Sequence, residues 1–189
     1  MNGSSYDIGM TDRWGHRKLS PKSRKDLELW LSFLKRAAVG VNLNLLVFRP
    51  PTHVYRTDAC IHGLGGYSNF GRAWRFAIPT HLIGRAHINL LEFMGTIISP
   101  WLDFLEGSLP KLASLFSQGD NTTAAGWSHK SNFESLQRPA HLKAARRLGN
   151  LQLEGKFQLV NEWIAGDENT IADSLSRDTH LSINDHVAL

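Results

Sequence analysis

Cysteine is almost missing: Cys60 is the only one among 189 residues. A single thiol excludes an internal disulfide framework and a cysteine-built zinc cluster. It fits a reducing compartment, so the expected location is intracellular, cytoplasmic or nuclear. Long hydrophobic runs are missing too. Arg85, His87, Glu92 and Asp103 interrupt the most apolar stretch before it reaches the ~18 residues of a membrane span, so no membrane partner is expected. The opening Met1-Asn2-Gly3-Ser4-Ser5 has no basic segment ahead of an apolar one, and no secretory signal is read there. What is present is ordinary: 42% hydrophobic, 10% aromatic and 20% charged residues suffice for a packed core and exclude a wholly disordered or fibrous chain. The length leaves room for one domain of ~100–150 residues plus an arm or tail.

Positive charge exceeds negative only slightly, 21 Lys and Arg against 17 Asp and Glu for a net charge of +4. The distribution is more informative. Basic side chains gather at Arg13, Arg17, Lys18, Lys22, Arg24 and Lys25, and again at Lys130, Arg138, Lys143, Arg146 and Arg147. Glu162, Asp167, Glu168 and Asp173 share a stretch that has no Lys or Arg. Basic flanks around an acidic patch suit a polyanion held beside a metal site; solvated faces with no ligand are the blander explanation of the same charges.

Ser20-Pro21 starts a helix in which Leu27, Trp30, Leu31 and Leu34 recur at helical spacing up to Gly40. Residues 43–48 are an apolar run of strand length, stopped by Pro50-Pro51. That break sets the expected division: an arm and connector helix over 1–50, a domain over 51–178 and a tail over 179–189. Val54 to Ile61 reads as a strand ended by a turn or bulge at Gly63, Gly65 and Gly66, with Tyr67 to Phe70 and Arg72 to Ile78 as two further strands. Residues 87–105 switch to helical period, with Pro100 expected to kink or split the helix and Ser99 to cap the second part. Residues 112–118 form a strand, Thr122 to Lys130 and residues 139–151 helices, Phe157 to Ile164 a strand, and Gly166 to Glu168 a turn. Asn169 caps a last helix through Ser176. This order predicts an α/β fold with a mixed sheet. Trp74, Trp101, Trp127 and Trp163 are expected in the core, Trp127 being the candidate exception for base stacking, and Cys60 is assigned to packing.

Four acids stand where such a layout concentrates chemistry. Asp58 lies inside a strand, where a lone carboxylate is costly to bury unless paired or bound to a cation. Glu92 sits beside the apolar stripe of its helix and looks toward the sheet. Asp120 is at a strand's carboxyl end as a helix begins, where open α/β sheets place ligands. Asp173 lies in the first turns of the last helix on its buried side. Taken singly, Asp120 serves equally as an N-cap, Glu92 as a helix-face charge and Asp173 as a dipole-compensating acid. Taken together, they would repel and bind protons more tightly unless cations compensated. Oxygen-only ligation at that charge suits Mg²⁺ or Mn²⁺ rather than zinc. Two such ions ~3.5–4 Å apart can serve both sides of a phosphodiester.

Thr57-Asp58-Ala59-Cys60, Gly63-Leu64-Gly65-Gly66-Tyr67, Ile88-Asn89-Leu90-Leu91-Glu92, Gly119-Asp120-Asn121 and the string from Trp163 through Ala172-Asp173-Ser174-Leu175-Ser176-Arg177 resemble the ribonuclease H domain of retrotransposon reverse transcriptases, DIRS-like or gypsy-like. The resemblance spans about residues 54–178, and the helix around Asp26 to Leu34 looks like the connector that precedes such domains. It implies a five-stranded mixed sheet flanked by helices, two Mg²⁺ ions for which Mn²⁺ can substitute, and cleavage of the RNA strand of RNA/DNA hybrids. Asp58, Glu92, Asp120 and Asp173 match the four catalytic, metal-holding acids. Asn121, Lys143, Arg146, Arg147 and Asn169 are the expected nucleic-acid contacts. The resemblance further implies the polymerase portion of a reverse transcriptase as a partner. The polymerase's Asp-Asp signature occurs nowhere in the sequence, so the chain is expected to be a fragment, a remnant reading frame or a captured domain. Gly166-Asp167-Glu168 holds no histidine of the kind some relatives carry there to release product, which implies either slow turnover or reliance on another group. The alternative on the same fold is a non-catalytic nucleic-acid-binding module.

Overall fold

Alternation of buried and half-buried side chains begins at His53 and makes a strand of the residues after Pro50-Pro51. The computed structural model describes residues 19–39, 50–110, 112–130, 138–178 and 182; residues 1–18 and the apolar run at 43–48 lie outside them. Strand β1 (His53–Ala59) pairs antiparallel with β2 (Gly63–Ser68), and β2 pairs antiparallel with β3 (Ala73–Ala77). Strand β4 (Ser114–Gly119) lies parallel beside β1, and β5 (Gln158–Trp163) parallel beside β4. The order is β3-β2-β1-β4-β5, a five-stranded mixed sheet of the kind expected. Its three parallel strands bring their carboxyl ends to one edge, and with them Asp58 and Asp120.

Five helices are described: α1 (Pro21–Ala38), α2 (Ile88–Leu105), α3 (Thr122–Lys130), α4 (Arg138–Gly155) and α5 (Thr170–Arg177). Helices α2, α3 and α4 cover one face of the sheet, where Tyr55, Phe93, Leu115, Leu151 and Phe157 form the larger core cluster. Leu64, Trp74, Leu91 and Ile98 form a second cluster beside it. Each large side chain so buried contributes ~1.5–3 kcal/mol. Helix α5 lies on the opposite face, because Leu64 joins the α2 side while its neighbours Gly63 and Gly65 meet Leu175 and Ser176.

Three expectations are corrected by the packing, and the apolar stripe of α1 faces away from it. Gly63, Gly65 and Gly66 do not end β1; they lie inside β2. A Cβ on Gly65 would stand 2.5 Å from the Ser176 nitrogen, so the strand needs glycine to admit α5. Helix α2 runs unbroken through Pro100. Ser99 is no cap: it is buried and accepts the Trp74 indole N–H at 2.9 Å, and sheet packing of Phe93, Ile97 and Ile98 outweighs a proline cost of ~3 kcal/mol. In α1 the stripe of Leu27, Trp30, Leu31 and Leu34 is exposed. The helix instead rests on α4 through Asp26, ion-paired with Arg146 at 2.6 Å, and through Leu29 against Gly149. Finally, Trp163 is half exposed rather than in the core, and its indole N–H donates to the Asp120 carbonyl at 2.9 Å.

Candidate active site

Three of the four acids meet. Asp58 from β1, Glu92 from α2 and Asp120 just past β4 each place a carboxylate oxygen within 4.8 Å of the others. Asp58 and Glu92 are buried at 2% and 6% exposure, and Asp120 is partly exposed at the mouth. Local sequence explains each placement. Glu92 sits in the first turns of a helix started by His87, whose ring accepts the Asn89 backbone N–H. Asp120 is spared capping duty by its neighbour: the Asn121 side-chain oxygen accepts the N–H groups of Thr123 and Ala124 at 3.0 Å. The Asp120 carboxylate is therefore free to face Glu92 and the Gly166 backbone, where an added Cβ would come within 3.3 Å of it.

Desolvation dominates the electrostatics. Burial pushes Asp58 up from 3.8 to about 6; the hydrogen bond from Ser176 opposes this, and the nearby charges of Asp120 and Asp173 add to it. Burial pushes Glu92 up from 4.5 to about 8, with Asp58 and Asp120 adding repulsion and a backbone hydrogen bond at Ala59 opposing it. The donor set is oxygen only and carries several negative charges, and two of its members sit where an unpaired carboxylate is costly. Such a set fits a hard divalent cation, which Asp58, Glu92 and Asp120 would hold.

Asp173 stands apart from these three. Its carboxylate pairs with Arg177 one turn along α5 at 2.7 Å, both side chains being substantially exposed, yet it is close enough for its charge to act on Asp58. The expected nucleic-acid contacts are dispersed. Asn121 caps α3 and donates to Asn89 at 3.1 Å. Asn169 is wholly buried, and its amide donates to the Thr57 carbonyl at 3.0 Å, fastening the start of α5 to β1. Arg146 is taken by Asp26, Arg147 is exposed with its guanidinium over the Trp101 ring at 5.4 Å, and Lys143 is exposed. The Trp127 side chain lies outside the described residues. Sequence reading assigned no part to Ser176 or Arg177, although both stand in the closing motif: a serine three residues after an aspartate on a helix is too common a pattern to mark.

No family model and no curated protein matches the sequence. Solved structures do. The N-terminal RNase H domain of a Mycobacterium tuberculosis protein, solved as a fusion with maltose-binding protein, is similar at 19% identity and a TM-score of 0.50, over 72% of this chain and 96% of that one. LC11-RNase H1 in complex with an RNA/DNA hybrid is similar at 16% identity and a TM-score of 0.52, over 72% and 99%. The structure of LC11-RNase H1 isolated from compost by a metagenomic approach gives 17% and 0.50, over 70% and 100%. The chain has the ribonuclease H fold.

Proposed function

We propose that the chain is a metal-dependent endoribonuclease that cleaves the RNA strand of RNA/DNA hybrids, and that it derives from a retroelement reverse transcriptase whose polymerase portion is its partner. The observation that carries the nuclease reading is the convergence of Asp58, Glu92 and Asp120 within 4.8 Å at the carboxyl edge of a ribonuclease H sheet. The hybrid bound to the LC11 neighbour supports the substrate class, and the closing motif from Trp163 to Arg177 supports the retroelement origin.

Two divalent ions, Mg²⁺ or Mn²⁺, would supply an activated water and charge stabilisation of the leaving oxygen. The chain's own residues do the rest. Asp58 and Glu92 present buried carboxyl groups that bulk water does not screen and that a bound cation would draw into the charged form, and Asp120 at the mouth completes the donor set. Asp173 is assigned as the fourth ligand from the rim. Lys143 and Arg147, exposed on α4, are assigned to phosphates of the hybrid, while Arg146 holds α1 in place. Asn121 and Asn169 serve the substrate by fixing the start of α3 and of α5 beside the acids.

The test is a hybrid labelled separately on each strand. The RNA strand is cut when Mg²⁺ or Mn²⁺ is present, and its DNA strand and an all-DNA duplex stay intact, because a ribonuclease must sense the 2′-hydroxyl. Hybrid binding without cleavage under either metal overturns the reading in favour of the non-catalytic module.

A further inference from the structure

We infer that Ser176 is the positioning residue for Asp58, holding that carboxylate in the rotamer that faces Glu92 and Asp120; this rests on the metal-site reading above. The Ser176 hydroxyl lies 2.5 Å from Asp58 Oδ2 and 2.9 Å from the Asp173 carbonyl oxygen. It has one proton to give, and a charged carboxylate is the stronger acceptor, so the proton goes to Asp58. Both side chains are buried, Ser176 at 1% and Asp58 at 2%. Among the described residues this hydroxyl is the one side-chain donor to Asp58.

The surrounding backbone is shaped to deliver that hydroxyl. Gly63 and Gly65 leave α5 no clearance: a Cβ on Gly65 would meet the Ser176 nitrogen at 2.5 Å and the Leu175 backbone at 2.6 Å, and one on Gly63 would meet the Ser176 carbonyl. The Cys60 thiol donates to that same carbonyl at 3.2 Å. At the other end of the helix Asn169 is bonded to the Thr57 carbonyl. Helix α5 is thus fastened on both sides of Asp58, to Thr57 within β1 and to Cys60 just past its end, and the serine is set where the carboxylate can turn only by giving up its donor. A ligand carboxylate bound this way is pre-oriented before a cation arrives, and loss of such an outer partner typically weakens metal affinity ~10–100-fold.

The experiment uses the full chain and Mn²⁺ itself, with binding followed by calorimetry and by the Mn²⁺ paramagnetic resonance signal, and metal-free folding checked by circular dichroism. Ser176→Ala is expected to bind Mn²⁺ about tenfold more weakly and to need correspondingly more Mg²⁺ for cleavage, with the rate recovering at saturating metal. Ser176→Thr and Ser176→Val have the same shape and differ only in the hydroxyl, so a packing role would affect them alike. The threonine variant is expected to bind Mn²⁺ about tenfold more tightly than the valine variant. Equal affinity in that pair, or wild-type affinity in Ser176→Ala, overturns the role of Ser176 and leaves the metal-site reading standing. A wild-type chain that binds no Mn²⁺ overturns both.

Discussion

Helix α2 carries two buried acids, and they are treated in opposite ways. Asp103, near its carboxyl end, receives the Tyr55 hydroxyl at 2.5 Å and the Arg72 guanidinium at 3.0 Å. Burial and that hydrogen bond keep the Tyr55 phenol protonated well above its usual range, so its hydroxyl remains a donor to Asp103. Glu92, eleven residues earlier and so about 16 Å away along the helix, has a backbone hydrogen bond and two further acids for company. The nearest influential cation, Arg177, stands at the surface and is occupied by Asp173. One helix therefore presents a carboxylate whose charge is neutralised from within and a carboxylate whose charge is left for something outside the chain. Burial is common to both and does not mark a site; the lack of a paired counter-ion among the described residues does.

Neutralising one acid should separate the two regions most sharply. Asp120→Asn is expected to lower hybrid cleavage on the order of 10³-fold, the scale of losing one group that stabilises transition-state charge. It should also raise the metal-free melting temperature, since it relieves repulsion on Asp58 and Glu92. Cleavage assays and thermal melts on the same preparation check both signs, and undiminished cleavage would remove Asp120 from the site.

The next effect is on stability alone. Folding raises the proton affinity of Asp58 and Glu92, so the native state holds protons that the unfolded chain has released. Metal-free stability is then fully present below about pH 4. It falls as pH rises through about 6 for Asp58 and about 8 for Glu92, and is lowest above that. Each proton that only the folded state retains makes stability fall by ~1.4 kcal/mol per pH unit across its window. A divalent cation binding only the folded state restores it. Melts at pH 5 and pH 8.5, with and without Mg²⁺, measure this; a chain that is equally stable at both without metal has no uncompensated acids.

The mixed sheet and the candidate acids could be read from residues because strand alternation, glycine and proline punctuation and acid placement are local signals; the strand order, and which three of the four acids meet, are set by contacts between elements and come from the structure. The misreadings all concern what elements do to each other. Gly63 and Gly65 look like turn residues because glycine ends strands, and only the approach of α5 shows why a strand contains them. Pro100 looks like a breaker until Ser99 is found bonded to Trp74 within a buried helix. The stripe on α1 has the right period, but period does not say which face meets the domain, and an Asp26–Arg146 pair chose the other. Asp173 shows the limit within the site itself. Its spacing on a buried-looking helix face pointed inward, whereas a basic residue one turn later holds its carboxylate at the rim.

The closed region offers the remaining test, with the sign reversed. In Arg72→Met the Asp103 carboxylate stays buried with the Tyr55 hydroxyl alone, and breaking a buried pair from one side costs several kcal/mol. Arg72 is a quarter exposed and also reaches the surface acid Glu106. Solvent therefore reduces the expected destabilisation to about 3 kcal/mol, the low end of that range. Adding Asp103→Asn should recover part of the loss, because the orphaned charge is then gone. Mn²⁺ affinity and cleavage per folded molecule should not change, since the pair lies far from the acids along α2. Thermal melts of the single and double variants, read beside Mn²⁺ titrations, distinguish the two regions directly. Removing charge at Asp120 stabilises the metal-free fold, whereas removing it at Arg72 destabilises it; a neutral Arg72→Met would mean that Asp103 is no better compensated than Glu92, and the contrast between the two ends of α2 would be lost.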